Sequence, residues 1–174
     1  MKLATKSVLM MGVILIVAYS RAQVVTNPLQ HALTLDFEES TNHGSYAYRL
    51  TADISGDGEP DQLISFETWD VRYGRVWSAY RKTTNGYVDL KTGVQFSENR
   101  FILDTNSWPR IVFAQPEGGG ELLLGQIVLT NGTFQESVLG VTTNDVPPSD
   151  ATLSNLFEQV LNNPDTNLVD KISL

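Results

Sequence analysis

The chain contains no cysteine. That excludes disulfides, thiolate metal ligation, a thiol nucleophile and lipidation at a cysteine. Histidine is nearly as scarce, with only His31 and His43. Neither has partners at the spacing that a metal or catalytic histidine needs, so both read as surface or loop residues. No Gly-x-Ser-x-Gly occurs, which removes the usual serine-hydrolase signature. No internal repeat and no long linker is visible. Basic residues are also few, 12 against 20 acidic ones.

The one long apolar run is at the start. Lys2 and Lys6 precede an apolar stretch from Val8 to Tyr19, and Ser20-Arg21-Ala22 places small residues three and one positions before a cut. This is the anatomy of a secretory signal peptide over residues 1–22. The run is short for a bilayer span, which takes ~20 residues. The expectation is export, either secreted or periplasmic, with no stable membrane span after cleavage. The remaining chain, 23–174, is expected to form one β-rich domain.

Removing residues 1–22 takes three of the 12 basic residues and none of the 20 acidic ones, leaving a net charge of −11. Nucleic acids and anionic membranes need a basic face, so neither is expected as a partner. A cation is. Without disulfides, the mature chain needs a large apolar core, a bound metal, or both.

The patterning along 23–174 is mainly that of strands. Residues 23–31 read as irregular, with a turn at Asn27-Pro28. Leu33, Leu35 and Phe37 alternate as in a half-buried strand. So do Tyr46, Tyr48 and Leu50. Further strands are predicted at 62–68, 75–82, 87–90, 94–97, 101–103, 110–114, 122–130 and 133–139. Asn85-Gly86, Gly118-Gly119-Gly120 and Asn131-Gly132 mark turns. Asn131-Gly132-Thr133 also fits a glycosylation acceptor, but the hairpin accounts for it. Ser149 or Asp150 can cap a helix from Ala151 whose apolar face is Leu153, Leu156, Phe157, Val160 and Leu161, stopped by Asn162-Asn163-Pro164. The tail from Leu168 returns as a short strand. The expected fold is therefore mainly β (α+β): antiparallel hairpins with one C-terminal helix.

One stretch carries chemistry: Asp53-Ile54-Ser55-Gly56-Asp57-Gly58-Glu59-Pro60-Asp61. Calcium takes about six to eight oxygens at about 2.3–2.6 Å. A short loop supplies them when oxygen-bearing residues recur at alternate positions. Asp53, Ser55, Asp57 and Asp61 stand at the first, third, fifth and ninth places. Glu59, at the seventh, offers its main-chain carbonyl, and Gly58 permits the sharp turn. The competing reading is an Asp/Gly turn with no metal.

The loop is similar to two known types. In an EF-hand the twelfth place holds a bidentate glutamate; here it is Ile64, and the flanks alternate as strands do. The closer resemblance is to the calcium loops of FG-GAP and VCBS-type repeats, Asp-x-Asn-Gly-Asp-Gly-x-x-Asp leading straight into a strand. Ser55 replaces the usual Asn, and Gln62-Leu63-Ile64-Ser65-Phe66 is the strand. The likeness covers about twenty residues in a single copy, so no propeller of several blades is implied. It implies one calcium ion held by Asp53, Ser55, Asp57, Glu59 and Asp61, tying strand 46–52 to strand 62–68.

Other residues read blandly. Glu117 and Glu121 are exposed loop charges, although they could rim an active site. Most tryptophans and tyrosines at strand positions are core, while Trp69 and Tyr73 are the expected exposed aromatics. The function expected is a non-catalytic exported calcium-binding module, with a protein or glycan as its unknown partner. The alternative is a secreted enzyme, such as a glycoside hydrolase, or an enzyme inhibitor, with scattered residues. A deep pocket lined by two or more carboxylates away from residues 53–61 would favour the enzyme.

Overall fold

The computed structural model describes residues 23–39, 44–71, 74–106, 108–130, 132–143 and 148–174. Residues 1–22, where a signal peptide is expected, and His43, Tyr73 and Asn131 lie outside them. The chain runs β1 (Val24–Val25), α1 (Pro28–Glu39), β2 (Tyr46–Ala52), β3 (Asp61–Phe66), β4 (Asp70–Val71), β5 (Gly74–Thr83), β6 (Gly86–Phe96), β7 (Phe101–Asp104), β8 (Arg110–Gly118), β9 (Glu121–Thr130), β10 (Thr133–Thr143), α2 (Ala151–Asn162) and β11 (Val169–Ser173). The protein is mainly β, with antiparallel pairing throughout the described residues. No helix among them is long and apolar enough to cross a membrane.

Two sheets form. The first has the order β1-β6-β5-β3-β2-β11, with β4 added on β5; the second is β10-β9-β8-β7. Strand alternation gives each sheet two faces. The inner faces meet in the main core, where Leu50, Leu63, Trp77 and Phe96 of the first sheet pack against Phe101, Ile111, Phe113 and Ile127 of the second. Trp77 stacks on Phe96 with ring centroids 5.1 Å apart. Its indole N–H donates to the Phe96 carbonyl at 3.1 Å, so the buried polar atom is satisfied. Fully burying aromatic and aliphatic side chains contributes roughly 1.5–3 kcal/mol each, and this core supplies the stability that the chain cannot draw from disulfides.

Each outer face carries a helix. On the first sheet α1 sets Ala32, Leu29 and Leu33 against Ile64, Phe66 and Tyr80. On the second, α2 lays Leu156, Phe157 and Val160 over Ile102, Val112, Ala114 and Leu124. The layers are therefore helix, sheet, sheet, helix. Asp150 caps α2, accepting from the N–H groups of Thr152 and Leu153 at 2.9 Å each. Leu161, expected on the buried face, is 40% exposed.

The first helix corrects the expectation of an irregular stretch followed by a strand over 33–37. Asn27 is its cap: Asn27 Oδ1 accepts from the Gln30 N–H at 3.3 Å and the Asn27 carbonyl accepts from His31 N–H at 3.0 Å. Pro28 then occupies the first helical position, where its missing N–H costs nothing. Segments 87–90 and 94–97 likewise merge into the single strand β6. A bulge opposite β5 interrupts its register between Asp89 and Gly93. Lys91 there has a φ of 51°, and its N–H donates to Asp89 Oδ1 at 2.7 Å.

Gly125 pairs across the strands with Phe113, whose fully buried ring lies over it. A methyl group at Gly125 would overlap that ring. Gly125→Ala is expected to destabilise the protein by about 1–3 kcal/mol through overpacking, read as a lower urea midpoint at unchanged m-value.

Candidate metal centre

The loop 53–60 joins β2 to β3. Ile54 fixes it to the molecule, because its side chain is 1% exposed and belongs to the inter-sheet core. Its neighbours Asp53 and Ser55 consequently point elsewhere. Gly56 and Gly58 have φ of 74° and 88°. Side-chain-bearing residues resist that conformation, and here it turns the backbone N–H groups inward. Asp53 Oδ1 accepts from Gly56 N–H at 2.7 Å and Asp57 N–H at 3.2 Å, while Oδ2 accepts from Gly58 N–H at 2.9 Å. The loop is thus wound around the first carboxylate.

The ninth residue is placed differently. Asp61 is 3% exposed. Its Oδ2 accepts from the N–H groups of Ile54 at 3.0 Å and Ser55 at 2.8 Å, and its Oδ1 from Lys82 N–H on β5 at 2.8 Å. Burial raises the Asp61 pKa above its ordinary value, and the N–H groups of Lys82, Ser55 and Ile54 offset only part of that. Lys82 gives its backbone but not its charge: the ammonium lies 4.6 Å from the centroid of the Tyr87 ring. Among the described residues Asp61 forms no ion pair. Ser55 Oγ lies close enough to favour the Asp61 charge, yet it is buried and finds no hydrogen-bond partner of proper geometry. Asp57 and Glu59 are exposed, and Asp57 Oδ1 accepts from Glu59 N–H at 3.0 Å.

Of the five residues expected to ligate calcium, the fold therefore organises Asp53, Ser55 and Asp61 and leaves Asp57 and Glu59 at the solvent side. Among the described residues no three acidic or histidine side chains are drawn together as a finished coordination shell. The donor set still suits a hard cation. All donors are oxygens, a carboxylate has about four acceptor sites of which the backbone occupies three on Asp53 and three on Asp61, and the Ser55 hydroxyl makes no hydrogen bond of proper geometry. No protein-family model, curated protein or solved structure matches this chain.

His31 sits on α1, with Nδ1 3.4 Å from the Tyr80 hydroxyl and 3.9 Å from Asp89 Oδ2. Burial, then the Asp89 charge, raises the Tyr80 pKa, so that hydroxyl stays protonated. Glu117 and Glu121 are exposed, and Glu117 Oε1 accepts from Gln115 at 3.1 Å. Trp69, expected to be exposed, packs edge-on against Phe66 at 4.8 Å under α1. The exposed tryptophan is Trp108, at 53%. It stands beside the loop: a methyl group on Gly56 would meet Pro109 Cδ at 3.1 Å and Trp108 Cζ2 at 3.7 Å. Its position in an irregular, proline-flanked stretch was the one sequence signal for its exposure.

These contacts separate two acidic residues that look alike in sequence. In chelator, Asp61→Asn is expected to destabilise by about 1–3 kcal/mol, because an amide nitrogen cannot accept from a backbone N–H and one buried donor is left unsatisfied. Asp57→Ala, at an exposed position, is expected to stay within ~0.5 kcal/mol of the parent in chelator. Urea unfolding of both variants checks the contrast.

Proposed function

We propose that the protein is an exported, non-catalytic calcium-binding module in which the ion is structural, and that it presents a surface to another protein or a glycan. The observation that carries the reading is the pair of unmet demands inside the 53–61 loop. Among the described residues Asp61 is a buried carboxylate that forms no ion pair, and Ser55 Oγ is a buried hydroxyl that lies near the Asp61 carboxylate but outside hydrogen-bond geometry. Both stand at alternate positions with Asp53 and Asp57, on a backbone already turned by two glycines. Asp53, Ser55 and Asp57 side chains and the Glu59 carbonyl would hold the ion, with Asp61 completing the charge from the core side. An ion there would neutralise the repulsion among the carboxylates and clamp the β2–β3 connection.

The alternative, a secreted glycoside hydrolase, has less support. Such an enzyme needs two carboxylates across its cleft, about 5–9.5 Å apart depending on mechanism. The pocket between α2 and the second sheet is lined by a single described carboxylate, Asp104, which is held by Arg110 in hydrogen bonds of 2.8 and 2.7 Å.

Thermal melting in chelator and in ~10 mM calcium tests the proposal. For a Kd of ~10⁻⁴ M the ion adds about 2.7 kcal/mol, which for a domain of this size raises Tm by roughly 5–10 °C. The rise should vanish in Asp57→Ala. An unchanged Tm at every calcium concentration would reduce the loop to an acidic turn.

A further inference from the structure

The outer face of the second sheet changes character along its strands. Under α2 it is apolar, with Ile102, Val112, Ala114 and Leu124. Beyond the helix the same face continues as Asp104 on β7, Arg110 on β8 and Gln126 and Val128 on β9, brought side by side by the register Asp104–Arg110–Val128. The helix supplies the facing wall with Thr152, Asn155, Leu156 and Gln159, which the 3.6-residue period places in one stripe. Trp108 closes one side. The pocket volume is about 470 Å³, within the ~300–1,000 Å³ of small-molecule sites.

We infer that this pocket binds a neutral sugar unit of an oligosaccharide, stacked on Trp108. Three features select that chemistry. First, the charges cancel. Arg110 Nε and one terminal nitrogen donate to Asp104 Oδ2 at 2.8 and 2.7 Å, and the other terminal nitrogen donates to Gln126 Oε1 at 2.6 Å. Burial alone would raise the Asp104 pKa, but the Asn106 N–H, the Arg110 guanidinium and the Asn106 amide together outweigh it and hold it below its ordinary value. Asp104 therefore stays ionised opposite the guanidinium at neutral pH. An anionic ligand would have to compete with Asp104 for the guanidinium, on a protein of net charge −8.

Second, the wall is rich in amides. Gln126 Nε2 donates to Ser137 Oγ at 3.0 Å, and Asn106 Nδ2 to Asp104 Oδ1 at 2.8 Å. Gln159 Nε2 donates to Asn155 Oδ1 at 3.4 Å, leaving an Asn155 amide donor and the Gln159 carbonyl for a ligand. Paired donors and acceptors of this kind match hydroxyl groups, which both give and take hydrogen bonds. Third, Trp108 offers an exposed aromatic face with a polar edge, suited to the apolar face of a ring that is otherwise polar. The loop behind Gly56 supports it.

The test is calorimetric titration of the full protein with cellohexaose, maltohexaose and N-acetylated chitohexaose, with hexagalacturonate as an acidic comparison. At least one neutral sugar is expected to bind with a Kd on the order of 10⁻⁴ M. Trp108→Ala should weaken it by about 30-fold, as truncating a central tryptophan does, with Tm unchanged because the ring is half exposed. Trp108→Phe should recover much of the loss, and Gln159→Ala should weaken binding without touching the tryptophan. No binding by any neutral sugar at ~10 mM, where a Kd of that order gives near saturation, would overturn the inference. So would tighter binding of hexagalacturonate, or full affinity in Trp108→Ala. The inference rests on the reading of the chain as a non-catalytic module, not on its ion. Cleavage of a sugar during titration would sink that reading, whereas an intact sugar that fails to bind sinks this inference alone.

Discussion

Asp61 puts a negative charge at the point where the loop, the third strand and the fifth strand meet. Its two oxygens gather N–H groups from Ile54, Ser55 and Lys82, which are separated in sequence by up to 28 positions. Without that acceptor three backbone donors at the edge of the core would lose their partner. The arrangement fixes where the loop leaves the sheet and so where Asp53 and Ser55 stand. It also carries a cost, since burial works against the charge that the N–H groups require. A cation on the outer side of the loop would relieve the cost without replacing any of the hydrogen bonds. In a chain with no cysteine, an ion would add to the β2–β3 connection a cross-link that no disulfide can supply.

The two-sheet core governs the rest. Trp77, Phe96, Phe101 and Phe113 fill the space between the sheets, so each sheet has an outer face to dispose of. Helix α1 covers one and α2 part of the other. Where α2 ends its cover, the strand pattern of the second sheet turns polar, and a pocket is left between helix and sheet. The loop reaches this pocket through Gly56, Pro109 and Trp108. The proposed ion site and the proposed recognition site are then neighbours, and an ion bound in the loop would hold Trp108 in place.

Much of this was legible from local signals. The glycine turn at 118–120 and the Gly132 hairpin lie where the strands reverse. Asp150 caps the helix it was expected to cap, and the tail pairs with β2 as the eleventh strand. The loop 53–61 was visible because its residues are contiguous. What stayed hidden was of two kinds. In α1 a period-two run of leucines outweighed the cap of Asn27 and Pro28, although capping, not alternation, decides where that segment goes. In β6 the bulge at Lys91 looked like a break between strands. The pocket was invisible for a deeper reason: Asp104, Arg110, Gln126 and Gln159 meet only through strand register and helix docking, which no local pattern encodes. Trp69 and Trp108 both stand in irregular sequence, and only the packing of α1 and Phe66 around the first distinguishes them.

The central claim, that the loop takes a hard oxygen-liganded cation beside Trp108, is tested most directly by terbium luminescence. Terbium is a hard cation with calcium's preference for oxygen, and its emission is sensitised by a tryptophan only at short range. Sensitised emission is expected to saturate with terbium, to be competed away by calcium, to fall sharply in Trp108→Phe and to be absent in Asp57→Ala. Emission that survives Asp57→Ala, or none above that of the free ion, would contradict it.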